Sequence, residues 1–278
     1  SRNETFALLG AEVPVCDSAE ELIARDDVDA VMVGSLNEFH PEQLRLAIAA
    51  RKPVLCEKPL ANTHDGMNVV RQALFDASQS GVVVASCHPR HDRYNLDMPY
   101  GWAKDNLTRL RNRFGKLESI GLASAYERVE RGAAKDPSFL MDKFPHDIDY
   151  LRFLLGDTTL EAECHMDSYD HYRVKGTVYS PEDKRGVEFL CECTRLHGAE
   201  KEYIETITLT FERGVCIVYT MTGVVRYYDR EMHSPWDGPR ITALKGDAAY
   251  DRVFEAVMRD FAGAIRGAYA DVMARDRH

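Results

Sequence analysis

The sequence predicts an α/β protein. An incomplete, parallel-sheet domain over residues 1–87 is followed by an α+β domain over residues 88–278 with an open, mostly antiparallel sheet. Three observations predict this. Short, near-continuous apolar runs at Asp29–Gly34, Val54–Cys56 and Val82–Ala85 read as strands buried on both faces. Helical patterns separate them with short loops, which gives right-handed crossovers in a parallel sheet. Beyond residue 170 the pattern changes to long alternating segments near 172–180, 186–195, 203–212 and 215–228, the period of antiparallel strands.

Taken in order, residues 2–9 read as the tail of a helix closed by Gly10, with a short strand at Val13–Cys16. Asp17-Ser18 and the acids Glu20 and Glu21 open a helix with Leu22 and Ile23 turned inward. The strand at 30–33 leaves through Ser35-Leu36-Asn37-Glu38-Phe39-His40-Pro41 into a helix over 41–51. Thr63-His64-Asp65 caps a helix over 66–80 that Gly81 stops. In the second domain a helix is expected over 93–113, an extended stretch over 116–129, and a compact helix over 145–155. Pro145 takes its first position, Asp147 and Asp149 its first turn, and Gly156 its stop. The pair Thr206–Phe211 and Val215–Val218 predicts a hairpin turning at Arg213-Gly214. The final helix runs over 250–273 with Val253, Val257 and Phe261 in register.

A net charge of -10 and the absence of basic blocks interleaved with aromatics argue against nucleic acid as a partner. No run reaches the length of a membrane span, and Ser1–Thr5 lacks a signal peptide's pattern, so a cytoplasmic protein with no membrane partner is expected. Seven cysteines without C-x-x-C spacing read as buried thiols. Cys191 and Cys193 share a strand face with Val187 and Phe189, a packing role. No metal site is expected.

The chemistry gathers around Val54–Leu60. A buried strand ending in Glu57-Lys58-Pro59 delivers two charged side chains to its carboxyl end, where open α/β sheets bind ligands. The alternative is a surface Glu-Lys pair. Further on, Asp142 and His146 lie four residues apart at the start of a helix. They read either as a proton-transfer pair or as ordinary helix-start residues.

Asp29-Ala30-Val31, Asn37 with His40, Cys56–Leu60 and Asp142–Asp149 together resemble the glucose-fructose oxidoreductase / inositol dehydrogenase / MocA family of sugar and cyclitol dehydrogenases, over almost the whole chain. The resemblance implies a Rossmann-type nucleotide-binding domain and a second domain whose open sheet forms a homodimer or homotetramer. It implies NAD or NADP as cofactor and a polyol or sugar-like substrate, with hydride moving between the nicotinamide and a secondary alcohol or ketone. Lys58, Asp142 and His146 match the family's catalytic residues. Ser35, Leu36, Asn37, His40, Glu57, Lys58 and Pro59 match the nicotinamide end of the cofactor site, and a cis bond before Pro59 is expected. Arg90, His88 and Tyr126 are candidates to line the substrate pocket, while His165, His171, His197 and His233 read as surface or packing residues.

One departure stands out. No G-x-G occurs in the 278 residues, so the glycine turn that seats a pyrophosphate on a helix N-terminus is not among them. The expectation is a trimmed portion of a longer chain that by itself binds NAD or NADP weakly or not at all. A catalytically silent binding or scaffolding subunit is the rival reading, against which the retention of Lys58, Asp142 and His146 weighs.

Overall fold

The computed structural model describes residues 14–88, 99–127, 139–156, 158–168, 171–180, 185–196, 204–231, 235–241 and 247–275. The chain divides into two compact units, residues 1–87 with 258–278 and residues 88–257. The sequence reading kept residues 258–278 in the second domain. By contact they group with the first.

In the first unit α1 (Ala19–Ala24) starts at Ser18, whose hydroxyl accepts from the Glu21 amide. Strands β1 (Val31–Val33), β2 (Val54–Glu57) and β3 (Val84–Cys87) form a parallel sheet in that order. Helices α2 (His40–Ala49) and α3 (His64–Ser80) are the crossovers between them. Thr63 caps α3 through the Gly66 amide at 3.0 Å, and Gly81 closes it at φ +70°, the left-handed region that glycine enters without a Cβ penalty. The core joins Ile23, Val31, Val33, Leu44, Val54, Cys56 and Val70.

Three expectations change here. Residues 14–16 form no strand: the described parallel sheet is β1-β2-β3, and nothing in it pairs with them. Leu22 faces outward while Ile23 is buried. Met32, in the middle of β1, is 52% exposed, so β1 is covered on one face where two were expected. β2 is covered on both.

The second unit is a mixed sheet behind two helices, α4 (Pro99–Phe114) and α5 (Phe139–Leu155). Its strands are β4 (Leu117–Glu127), β5 (Thr159–Ser168), β6 (His171–Tyr179), β7 (Val187–Leu196), β8 (Ile204–Phe211), β9 (Gly214–Tyr219), β10 (Val224–Asp229) and β11 (Trp236–Asp237). They lie in the order β11-β10-β9-β8-β4-β7-β6-β5. Only β4 with β7 is parallel among the described pairs; the rest are antiparallel. One face carries the apolar alternates Tyr172, Val174, Phe189, Cys191, Ile207, Leu209 and Phe211 into a core with Leu107, Leu110, Phe114, Leu151 and Leu154. The last helix, α6 (Asp247–Arg275), contains the expected 250–273. No described helix is long and apolar enough to cross a membrane.

The largest correction concerns α5. It starts at Phe139, and Pro145 lies inside it. A proline in the second turn removes the backbone donor that would meet the carbonyl four residues earlier and sets its ring against that carbonyl, a cost that the packing of the rest of the helix offsets. Asp147 and Asp149 are therefore in the third turn, too far along to complement the helix dipole as expected. The segment 215–228 is two strands broken by the turn at 220–223. The hairpin turns at Glu212-Arg213, with Phe211 paired to Gly214.

Candidate functional site

In the first unit the site is built from two loops. β1 and β2 run parallel with Val31 opposite Val54 and Val33 opposite Cys56, so both carboxyl ends open on one edge of the sheet. Ser35–Phe39 leave from one and Glu57–Leu60 from the other. The Lys58–Pro59 peptide is cis. Glu57 is fixed: one carboxylate oxygen accepts from the Lys58 amide at 3.2 Å, and the Cys87 thiol on β3 donates to the same side chain. Burial and that neighbouring carboxylate push the Cys87 thiol up to about 12, and burial pushes Cys56 up to about 12. Both thiols are inert packing, as expected, but Cys164 is exposed and Cys16 half-buried, so the reading of all seven cysteines as buried holds for five.

Ser35 donates to Gln43 Oε1 at 2.7 Å, and the Phe39 amide returns to the Leu36 carbonyl at 2.9 Å. Leu36 and Phe39 are exposed around a half-buried Asn37. His40, the first residue of α2, is 1% exposed. Its Nδ1 lies 2.8 Å from the Pro59 carbonyl and its Nε2 3.0 Å from the Ser35 carbonyl.

In the second unit α5 sends successive side chains to different neighbours. His146 is 8% exposed, which removes the reading of it as an exposed helix-start residue. Its ring meets that of His88 edge-on with centroids 6.0 Å apart, and His88 Nδ1 lies 3.5 Å from Asp149 Oδ2. His146 and Asp149, three residues apart on the helix, thus share His88. Asp147 turns the other way and accepts from the Tyr172 hydroxyl of β6 at 3.2 Å. Behind it Glu205 is buried, accepting from the Tyr100 hydroxyl and from Thr220 Oγ1 at 3.2 Å. Asp147, Tyr150, Ser124 and Glu205 border a cavity of about 10 Å³, roughly one water's worth.

The backbone of Asp142 lies one helical turn before His146 in α5, and that of Tyr126 near the end of β4; their side chains, and Arg90 altogether, lie outside the described residues. Among the described residues no group of three or more His, Cys, Asp or Glu is placed to hold a metal. The sequence reading missed the Asp149 and Tyr172 partnerships and Glu205. The last had a signal: an acid at an inward position among the alternating apolar residues Ile207, Leu209 and Phe211.

The first unit thus sets Glu57-Lys58-Pro59 at the carboxyl edge of a parallel sheet, and the second sets a buried histidine on a helix packed against a mixed sheet. The chain belongs to the Gfo/Idh/MocA oxidoreductase family. Residues 2–85 match that family's NAD-binding Rossmann fold. Over 274 residues the chain is 34% identical to an inositol 2-dehydrogenase of Pseudomonas savastanoi pv. phaseolicola, covering 91% of this chain and 78% of that protein. It is 37% identical over 147 residues to a 1,5-anhydro-D-fructose reductase of Ensifer adhaerens, covering 52% of this chain and 43%, less than half, of that one. The fold is that of a levoglucosan dehydrogenase solved with NADH and levoglucosan, at a TM-score of 0.67 and 18% identity over 96% of this chain and 78% of the other.

Proposed function

We propose that the protein is an NAD(P)-dependent dehydrogenase or reductase that moves a hydride between a nicotinamide and a secondary alcohol or ketone of a cyclitol, sugar or related polyol. The observation that carries the reading is the 34% identity to an inositol 2-dehydrogenase along 91% of the chain, combined with a buried His146 backed by a second histidine and a carboxylate.

The first unit is the nucleotide-binding part, and its residues fit one end of the cofactor. Two loops leave the carboxyl edge of a parallel sheet, where such ligands bind, and exposed Leu36 with half-buried Asn37 and Lys58 offers an apolar surface beside polar groups. Ser35, Leu36, Asn37, Glu57, Lys58 and Pro59 would hold the nicotinamide end. The nicotinamide supplies the hydride acceptor or donor. The chain supplies proton management. His146 takes the hydroxyl proton on oxidation and returns it on reduction. Asp142, one turn earlier, orients that imidazole or touches the substrate, and Lys58 donates to the reacting oxygen and favours its alkoxide form. Arg90 and Tyr126 belong to the substrate end.

The test is turnover of cyclitols and sugars with NAD and NADP, followed by nicotinamide absorbance. His146→Ala and Lys58→Ala are each expected to lower kcat on the order of a hundredfold while cofactor affinity changes little. Unchanged kcat in both folded variants would remove the catalytic assignment.

The second unit also serves self-association. The sheet face turned away from α4 and α5 carries Thr206, Thr208 and Thr210, with Leu190 39% and Ile204 49% exposed. A homodimer or homotetramer through that face, in the cytoplasm, is the assembly we infer. Light scattering that finds a monomer at micromolar concentration overturns it.

A further inference from the structure

We propose that His40 is a positioning residue rather than a cofactor ligand: its ring is the crossbar that sets the spacing of the two loops presenting Ser35–Asn37 and Glu57–Pro59. The inference rests on the functional reading above and deepens it at the cofactor edge. Three observations carry it. The ring is 1% exposed, so no edge of it is offered to a ligand. Both nitrogens are already directed at backbone carbonyls, Nδ1 at Pro59 and Nε2 at Ser35, at 2.8 and 3.0 Å. Those carbonyls belong to different loops, 24 positions apart in sequence (59 - 35), each following a different strand.

An imidazole is suited to this task. Its two nitrogens point in divergent directions from one rigid plane, so one side chain reaches two acceptors at a fixed separation. A neutral ring carries one N–H and donates to one carbonyl at a time, and a doubly protonated ring donates to both. Glutamine or asparagine has one donor nitrogen on a shorter or more flexible arm and spans the gap poorly. Phenylalanine fills nearly the same volume and spans nothing. The ring therefore fixes the carbonyl of Pro59, one peptide past Lys58, relative to the loop that carries Asn37. A displacement of about 1 Å of a reacting group costs on the order of a hundredfold in rate. His40 thus reaches the reaction only through Lys58 and Asn37.

The experiment compares the intact protein with His40→Phe and His40→Ala. Hydrogen exchange is read first, because it needs no substrate. The amides of residues 36, 37, 58 and 60 are expected to lose protection in both variants while those of β1 and β2 keep theirs. Kinetics are read next, on the substrate that the wild type turns over. His40→Phe is expected to retain the wild-type melting temperature within a few degrees yet lose on the order of tenfold or more in kcat, with the cofactor KM rising. In His40→Ala, added imidazole is expected to restore part of the lost kcat. If His40→Phe keeps both loop protection and kcat, the residue is packing alone and the proposal is overturned. Loss of β1 and β2 protection together with the loops also overturns it, since the role is then general stability. Wild-type protein that is shown to bind NAD or NADP yet turns over no polyol would defeat the functional reading, while the exchange measurement would still decide the crossbar.

Discussion

At the scale of single residues, what the sequence made legible is chemical identity, and what it hid is partnership. Lys58 and His146 stand out because a base after a buried strand and a histidine on a helix have few bland explanations together. Nothing in the sequence says that Asp149 faces His88, or that Tyr172 reaches Asp147, because those contacts close over more than twenty residues. Glu205 is the sharpest case. Its carboxylate is buried among Tyr100 and Thr220, so Tyr100→Phe leaves a buried acceptor short of a donor. We expect a loss of about 1–3 kcal/mol of stability in urea unfolding. Glu205→Gln in the Tyr100→Phe background should recover part of it, since an amide tolerates the poorer site better than a charge does. Equal stability of wild type and Tyr100→Phe would show that the hydroxyl is not needed.

At the scale of elements, periodicity located most strands but was not followed everywhere. β5 was not expected although Leu160, Ala162, Cys164 and Met166 alternate with Glu161, Glu163 and His165, a period of two that marks a strand even where, as here, residues 161–166 are all exposed. The start of α5 was misplaced because Pro145 mimics an N-terminal residue. Gly214 was read as a turn glycine, yet it is a strand residue whose Cβ would lie 2.5 Å from Phe114 Cδ1 and 2.7 Å from the Tyr228 carbonyl. Close approach, not a positive φ, requires glycine there. Gly176 is more constrained still: a Cβ would lie 2.0 Å from the Glu161 carbonyl of β5. Gly176→Ala should detach β5 from β6, seen as lost amide protection over 159–166 with the rest of the sheet retained, at a cost of more than about 3 kcal/mol. Gly263→Ala, inside α6, meets nothing within 4 Å and serves as the contrasting control, expected to raise stability by about 0.5–1 kcal/mol.

At the scale of the whole molecule, buried thiols in both units link its stability to alkaline pH. Burial raises Cys56 and Cys87 in the first unit and Cys216 in the second to about 12, against an ordinary thiol value of 9.0. A raised acid group binds its proton more tightly when folded, so its contribution is fully present below 9 and is lost as pH rises from 9 towards 12. Thermal melting points should therefore fall over that interval, and the fall should be shallower in the Cys56→Ala/Cys87→Ala/Cys216→Ala protein. An identical slope in both would mean that other groups govern the alkaline limb. The same burial predicts that iodoacetamide at pH 8 labels exposed Cys164 and spares those three until the protein unfolds.

The place of β4 in the sheet has a consequence in time. Its neighbours on either side are β7 and β8, so Ile120 must wait for Phe189 and Leu209, roughly 70 and 90 residues further along. During synthesis β4 leaves the ribosome with both edges unsatisfied, and at about 5–20 residues per second that interval lasts several seconds or more. The hairpin β5–β6 closes locally while β4 still has both edges open, and β4 gains its second neighbour only when β8 appears. The nascent chain is thus most exposed to mispairing with other chains between the appearance of β4 and that of β8, and a chaperone that shields strand edges would have most to offer in that window.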